Sequence, residues 1–312
     1  MRQIKCLICI LCLCTPFAAA LGRNSVPMPS QPVIAVLKSE QNAVYDQILA
    51  SFRGRVQAKL VEFNMNGNTQ SGRDAVAEIN QGNYNLVLAI GASAALIAKE
   101  QSTIPVVFCG VFGSDRKRLT GRNITGITLD VSAKEQFTTL RKLIPSLKVV
   151  GVVYNPKISS DVIHEAQRAS TALGIRLETR AVSSSKEVTW AVRDLAGIAD
   201  ILWLIADSTV ANADNFRFML LTSIETKVPL VAFSHTFVRE GALASVSVPP
   251  EDAGAEAAVL VNNIINGQPV SSIPISSPKR ATLFINLKTA HNIGINVPSE
   301  VLAAASVFGR ES

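Results

Sequence analysis

The stretch Leu86–Ala95 (LVLAIGASAA) decides the fold class of this chain. Five apolar residues in a row are followed at once by a glycine and by small residues typical of the start of a helix. Uninterrupted apolar runs of about five residues indicate strands that are buried on both faces of a parallel sheet. Because parallel neighbours need a long crossover, usually a helix, this stretch predicts one β/α unit of such a sheet.

The same alternation of apolar runs and helical patterns extends on both sides of this stretch. A first series of strands is predicted at Val33–Leu37, Ala58–Phe63, Leu86–Ile90 and Val106–Cys109, with helices near 42–53, 71–81 and 92–101. After the extended stretch Thr120–Asp130 and a helix near 132–143, a second series is predicted at Val149–Tyr154, Arg176–Val182, Ile201–Ile205, Leu230–Phe233 and Leu243–Val248, with helices near 160–173, 185–197 and 210–226. The sequence therefore predicts an α/β protein with two doubly wound parallel-sheet lobes and a hinge between them.

The first residues have the pattern of a secretory signal. Arg2 and Lys5 precede an apolar run at residues 6–14, which Pro16 ends, and Ala18–Ala20 supplies the small residues of a cleavage site. The run is shorter than the roughly 20 residues that a membrane-spanning helix needs. We therefore predict a signal peptide at 1–20, cleaved after Ala20 or Gly22, a flexible tether at 21–32, and a location in the periplasm.

The cysteines and the charged residues further narrow the class of protein to which this chain can belong. The cysteines of the signal, at positions 6, 9, 12 and 14, lack the small preceding residue that a lipid anchor requires. Cys109 is the single cysteine after them, so no internal disulfide is expected, and the apolar run around it predicts a core residue. With Arg2 and Lys5 set aside, the remaining basic residues only slightly exceed the 24 acidic ones and are scattered. This distribution excludes a nucleic-acid stripe and a polybasic membrane patch.

Ligand-binding residues are expected directly after the strands. In parallel sheets, crevices form outside the carboxyl ends of the strands, where helix N-termini present N–H groups. The candidates that follow the predicted strands are Ser39, Glu40, Gly91, Ala92, Ser93, Val111, Phe112, Tyr154, Asn155, Asp207, Ser208, Thr209, Phe233, Ser234 and His235.

Each candidate has an alternative structural interpretation. Glu40 or Asp207 would hold a ligand ammonium group, or would only favour the start of the following helix. Gly91 and its small neighbours would let a ligand carboxylate approach bare N–H groups, or would only allow tight packing of strand and helix. Phe112 would form an apolar wall of the cleft, or would belong to the core.

Catalytic and cofactor motifs are absent from the sequence after the predicted signal peptide. This part of the chain contains no GxGxxG, Walker, HExxH, CxxC or GxSxG pattern. His164, His235 and His291 are scattered, and with Cys109 they give no metal cluster. We therefore predict a protein without cofactor or metal that is not an enzyme.

Several phrases resemble a known family in their order and spacing. They are Asn123–Gly126, Ile144-Pro145, Lys148–Pro156, Lys227–Pro229, Gly241–Ser247 and Ile285–Ala290. Together they resemble the bacterial ABC-transporter substrate-binding proteins of the tryptophan/tyrosine type, from about residue 33 to residue 308.

The resemblance implies a type I periplasmic-binding-protein fold in which the chain crosses between the lobes near 129–131, 247–250 and 270–281. One lobe would comprise residues 33–129 plus about 250–268, and the other residues 132–247 plus about 278–312.

The resemblance also implies partners: a small-molecule ligand, such as an amino acid or a related small acid, and an ABC permease in the inner membrane. The protein would be a monomer that binds no nucleic acid. Two alternatives remain at this point: a periplasmic sensing module for a membrane signalling partner and, with less support, an α/β enzyme.

Overall fold

A computed structural model describes residues 31–112, 118–278 and 280–309 of the chain. The predicted signal peptide and most of the predicted tether lie outside these ranges. None of the helices in these ranges combines the length and the apolar character that a bilayer crossing requires.

The first sheet gathers the strands of the N-terminal part of the chain. Its strands are β1 (Val33–Lys38), β2 (Lys59–Asn64), β3 (Leu86–Ile90), β4 (Val106–Val111) and β5 (Ile124–Thr128), in the order β2-β1-β3-β4-β5. All neighbours are parallel, with Ile34 opposite Leu86 and Val87 opposite Val106. Every residue of β3 is buried, as the apolar run at 86–90 predicts.

Four helices cover this sheet and complete the first lobe. They are α1 (Ala43–Arg53), α2 (Thr69–Gln81), α3 (Ala92–Gln101) and α9 (Pro250–Ile265). One core lies between the sheet and the pair α1 and α9, and a second core lies on the opposite face under α2 and α3. Burial on both faces is the physical reason for the continuous apolar strands.

The second sheet contains the remaining strands. They are β6 (Val149–Tyr154), β7 (Arg176–Ala181), β8 (Ile201–Leu204), β9 (Leu230–Ala232), β10 (Ala244–Ser247), β11 (Thr282–Asn286) and β12 (Ser306–Phe308), in the order β12-β11-β10-β9-β8-β6-β7. The pair β10 and β11 is antiparallel, with Ala244 opposite Ile285, and the other pairs are parallel.

The second lobe is completed by helices on both faces of this sheet. They are α4 (Ala133–Leu143), α5 (Pro156–Ala172), α6 (Val188–Ala196), α7 (Ala213–Thr226), α8 (His235–Arg239), α10 (Leu287–Ile293) and α11 (Ser299–Ala304). Two cores again occupy the two faces. The predicted α/β class with two parallel-sheet lobes is thus confirmed.

The chain crosses between the lobes at three places within the described residues. It leaves the first sheet after β5 and enters the second lobe at α4. It returns between β10 and α9, and then runs beside β5, where the Thr128 N–H donates to the Ser276 carbonyl oxygen (2.9 Å). From there it passes into β11. These connections place the ends of strands from both sheets near one another.

Candidate ligand-binding cleft

The first lobe contributes two segments to the candidate cleft: the loop after β1 and the start of α3. The Ser39 hydroxyl accepts a hydrogen bond from the Ala94 N–H (2.9 Å). Gly91 has φ +95, and a Cβ there would collide with the hydroxyl groups of Tyr45 and Ser39. Tight packing alone therefore requires glycine at position 91. No described side chain accepts the N–H of Ala92 or of the exposed Ser93.

Glu40 lies at the start of α1, where it accepts a hydrogen bond from the Asn42 side chain (2.9 Å). Asn42 in turn caps the helix by accepting the Tyr45 N–H (2.8 Å). The carboxylate of Glu40 is exposed and belongs to this capping network. The structural interpretation of Glu40 therefore accounts for its position.

Two titratable side chains near this loop, Tyr45 and Cys109, are held neutral by burial. Burial raises the pKa of the Tyr45 hydroxyl to about 12, and the negative charge of Glu40 acts in the same direction. Burial also raises the pKa of the Cys109 thiol to about 12. A fully buried thiol with so high a pKa is a core residue and not a nucleophile.

Phe112 forms a contact between the lobes. Its ring meets the ring of Phe233 edge to face, with the centroids 4.9 Å apart. Phe233 in turn meets Phe237 edge to face inside the second lobe, with the centroids 5.0 Å apart. Val111, in contrast, is fully buried in the first-lobe core and does not reach the cleft.

Asp207 organises the loops of the second lobe. Its carboxylate is fully buried and accepts hydrogen bonds from the Asn155 N–H (2.8 Å), the Ser159 hydroxyl (2.8 Å) and the Thr209 N–H (2.9 Å). The Asn155 side chain also donates to the Thr209 hydroxyl (2.9 Å). Asp207 thus joins the loops after β6 and β8 into one unit.

The other predicted residues of this lobe differ in their positions. Tyr154 packs half-buried against the core, and Asn155 caps α5 by accepting the Lys157 N–H (3.0 Å). Ser208 is exposed at the cleft. Ser234 caps α8 by accepting the Thr236 N–H (3.3 Å).

A groove runs between the lobes past the Phe112–Phe233 contact. Its outer part, about 510 Å³, is lined by Phe112, Phe233, Ala206, Asp207, Ser208, Ile158, Ala211, Arg118 and Lys157. Its inner part, about 540 Å³, lies among Trp203, Gln136, Val131, Val162 and acidic residues of α4 and α5. A narrow space of about 70 Å³ joins the two parts and shares residues with both.

Sequence reasoning missed the residues of the inner groove. Gln136 and Trp203 lie inside a helix and a strand, and the Trp203 Nε1–H donates to the Gln136 side-chain oxygen (3.0 Å). Their positions depend on how α4 lies across the sheet, so no local signal marks them. Asp130, which also lines the groove, lies two residues after the end of β5 and could have been found by the rule used for the other strands.

His235 lies apart from this groove, in a chamber of about 330 Å³ between the lobes. The chamber is lined by Gln47, His235, Arg239, Pro249, Pro250, Glu251, Thr282, Phe284, Ser306 and Phe308. Burial and the positive charge of Arg239 lower the pKa of His235, and the negative charge of Glu251 opposes them.

Within the described residues, no three metal-ligating side chains come together to form a cation site. Two lobes, strand ends on both sides and cavities of small-molecule size between them give the geometry of a cleft for a small ligand.

Two parallel-sheet lobes with such a cleft define the type I periplasmic-binding-protein class. A family model described as ABC transporter substrate binding protein matches residues 53–308. The chain therefore belongs to this family, whose members are substrate-binding proteins and not enzymes, as the sequence predicts.

Relatives with curated descriptions share about a quarter of their residues with this chain. A tyrosine-binding protein of Clostridioides difficile is 26% identical over 174 residues, which cover 54% of this chain and 49% of that protein. An uncharacterized protein of Rickettsia prowazekii is 24% identical over 220 residues, which cover 69% of this chain and 68% of that protein. This chain thus matches only about half of the tyrosine-binding relative's length.

Solved structures share the fold over most of the described chain. A domain from Streptococcus pneumoniae in complex with L-Trp has a TM-score of 0.72 at 23% identity and covers 89% of this chain and 100% of its own. A ligand-free, open substrate-binding protein with adhesive properties from Clostridium difficile has a TM-score of 0.76 at 20% identity, with coverage of 90% and 100%. At these identities the likeness concerns the fold alone.

Proposed function

We propose that the protein is the extracytoplasmic receptor of an ABC importer, which holds an amino acid or a related small acid between its lobes and delivers it to a permease in the inner membrane. One observation carries the proposal: strand ends from both sheets face a common cleft, and Phe112 meets Phe233 across it at 4.9 Å. Membership of the substrate-binding family and the L-Trp and tyrosine ligands of relatives support it.

The mechanism is ligand-driven closure. The lobes, taken as residues 33–129 plus about 250–268 and 132–247 plus about 278–312, would move as two bodies about the crossings. A ligand that touches both lobes binds the closed form better than the open form and shifts the population toward closure. A permease would then recognise the closed form.

Those predicted strand-end residues that border the cleft are the proposed surroundings of the ligand. Phe112 and Phe233 supply apolar walls, and the start of α3 supplies N–H groups of Ala92 and Ser93. Asp207 acts as a positioning residue, since its oxygens already accept hydrogen bonds from three protein groups. The signal pattern of residues 1–20 supports a periplasmic location. The released protein is proposed to be a monomer.

Isothermal titration of the mature protein with the common amino acids and small organic acids tests this function. We expect one ligand with a dissociation constant of about 1 μM or lower, which corresponds to about −8 kcal/mol. Trp190→Ala, at an exposed position of α6, is the control and should bind equally well. A folded protein that gave no heat with any compound of the panel would contradict the proposal.

A further inference from the structure

The outer surface of α6 and α7, here called the α6–α7 face, concentrates large apolar side chains. Trp190 of α6 is 65% exposed, and Leu221 and Ile224 of α7 are 54% and 43% exposed. Ile198, two residues after the end of α6, is 45% exposed. Among the residues that the structure describes, the fifth such side chain, Val259, lies on α9 of the first lobe. Exposed apolar residues that gather on one surface mark an interaction site, whereas single ones need no explanation.

Four charged side chains flank this apolar centre along α7, and their signs alternate. Asp214 and Arg217 precede Leu221, and Glu225 and Lys227 follow it. All four are exposed, and none of them forms an ion pair within the described part of the chain. The helix dipole favours Asp214 in the first turn but disfavours Glu225 in the last turn. The stability of α7 by itself therefore does not explain this charge pattern.

The pattern is self-complementary when two copies of α7 lie antiparallel. Residues four positions apart lie on the same face of a helix, so Arg217, Leu221 and Glu225 form one stripe. A two-fold axis that crosses α7 at Leu221 brings Arg217 of each copy opposite Glu225 of the other. The same axis brings Asp214 of each copy near Lys227 of the other. Every charge on the stripe thus meets an opposite charge around an apolar centre.

We propose that two copies of this chain associate through the α6–α7 face about this two-fold axis. The helices α6 and α7 both connect strands of one parallel array and therefore run in the same direction. Arg193 of α6 lies over the ring of Phe218 of α7 (5.3 Å), which joins the two helices side by side. The axis therefore also brings Trp190, near the start of α6, toward Ile198 of the second copy, just beyond the end of its α6.

The face is small, and the association is therefore weak and reversible. At 1.5 Å per residue α7 is about 20 Å long, so two adjacent helices about 10 Å wide present about 400 Å² in each copy. The total of about 800 Å² falls in the range of transient complexes, for which we expect a dissociation constant of about 100 μM. At lower concentrations the protein is the monomer proposed above.

The pairing does not depend on the proposed ligand. No residue of α6 or α7 lines the groove in the part of the chain that the structure describes. Each copy therefore keeps its own cleft, and the inference goes beyond the proposed function.

Sedimentation equilibrium of the protein without its predicted signal peptide tests the pairing, at concentrations from about 5 to about 500 μM that bracket the expected constant. The mean mass of the unaltered protein should rise toward that of two copies. Arg217→Glu and Glu225→Arg should each weaken the association by about tenfold or more, because the reversed charge then meets a like charge. An equimolar mixture of these two variants should associate as the unaltered protein does, because every pair across the axis again joins opposite signs.

Matched controls separate this face from the rest of the surface. Leu221→Ser should weaken the association by about tenfold, whereas Val259→Ser, at the exposed apolar position of α9, should leave it unchanged. Arg168→Glu makes the same charge reversal at an exposed position of α5, on the other face of the second sheet. It should also leave the association unchanged.

Three results would overturn the inference. One is an unaltered protein that stays monomeric over the whole range, which would mean that another partner covers the face. Another is an association that persists in Arg217→Glu, Glu225→Arg and Leu221→Ser. The third is a mixture of the two charge variants that fails to associate. Since ligand titration of the same variants should be unaltered, each of these results would leave the proposed function intact.

Discussion

The carboxylate of Asp207 fixes two loops of the proposed binding cleft through hydrogen bonds to protein groups. It is buried, and its two oxygens accept hydrogen bonds from two backbone N–H groups and a hydroxyl. Hydrogen bonds to an ionised group compensate for its removal from water. The shape of the loops after β6 and β8 therefore depends on this residue.

Replacing Asp207 by alanine should lower the free energy of unfolding by about 3 kcal/mol, because three buried donors lose their acceptor at once. Urea unfolding followed by circular dichroism measures the change. Asp214→Ala, at an exposed position in the first turn of α7, should cost less than about 1 kcal/mol. Equal losses in the two variants would show that Asp207 does not organise the loops.

Strand ends determine the positions of several residues predicted from the sequence. Phe112 and Phe233 directly follow strands that the apolar runs identify, and they line the groove together with Ser208 of the loop after β8. Their role in ligand binding stays a prediction. Trp203 and Arg239 were not identified as ligand-site candidates. Their positions at a cavity follow from the packing of one element on another, which neighbouring residues in the sequence do not encode.

The packing of α9 on α1 explains why a segment so late in the chain belongs to the first lobe. The buried face of α9 carries the small residues Ala253, Gly254, Ala257 and Ala258, which let the two helices approach closely. A Cβ at position 254 would collide with the Ile48 carbonyl oxygen of α1. Glycine is therefore needed at this helix crossing despite its low helix propensity.

Gly254→Ala should destabilise the protein by about 1–3 kcal/mol, the cost of overpacking a tight contact, although alanine favours helices. The midpoint of urea unfolding measures the loss. Gly197→Ala provides the contrast, since a Cβ there meets nothing nearer than 3.5 Å. A stability gain in both variants would mean that α9 can shift away from α1 at no cost.

Among the elements, those with an apolar or amphipathic period were predictable and the others were not. The strands from β1 to β4 and from β6 to β10 match the predicted runs to within a few residues. The strands β11 and β12 and the helices α8, α10 and α11 are short and follow no long periodic pattern. The strand β11 pairs with β10, β12 pairs with β11, and β11, α10 and α11 contribute residues to a core whose other members are distant in sequence.

The contact between Phe112 and Phe233 joins the two lobes as a whole. An edge-to-face aromatic pair contributes about 0.5–1.5 kcal/mol beyond its burial, which is enough to change an equilibrium between closed and open forms severalfold. The proposed closure of the cleft therefore begins from lobes that already touch.

Phe112→Ala should increase the radius of gyration of the ligand-free protein, as measured by small-angle X-ray scattering, because the open form gains population. Phe63→Ala removes a similar aromatic pair, with Tyr84 at 6.0 Å, that lies inside the first lobe. It should leave the radius of gyration unchanged even if stability falls. An unchanged radius in both variants would mean that the aromatic contact does not hold the lobes together.

The route of the chain between the lobes bears on how the protein can assemble. The first lobe lacks α9, and the second lacks β11 and β12, until residues 250–308 are present. Because the polypeptide is synthesised from its N-terminus, neither lobe can be completed until this late segment has been made. Tight structure therefore forms only after most of the polypeptide has been made, which suits the proposed export of the chain, unfolded, through a narrow channel.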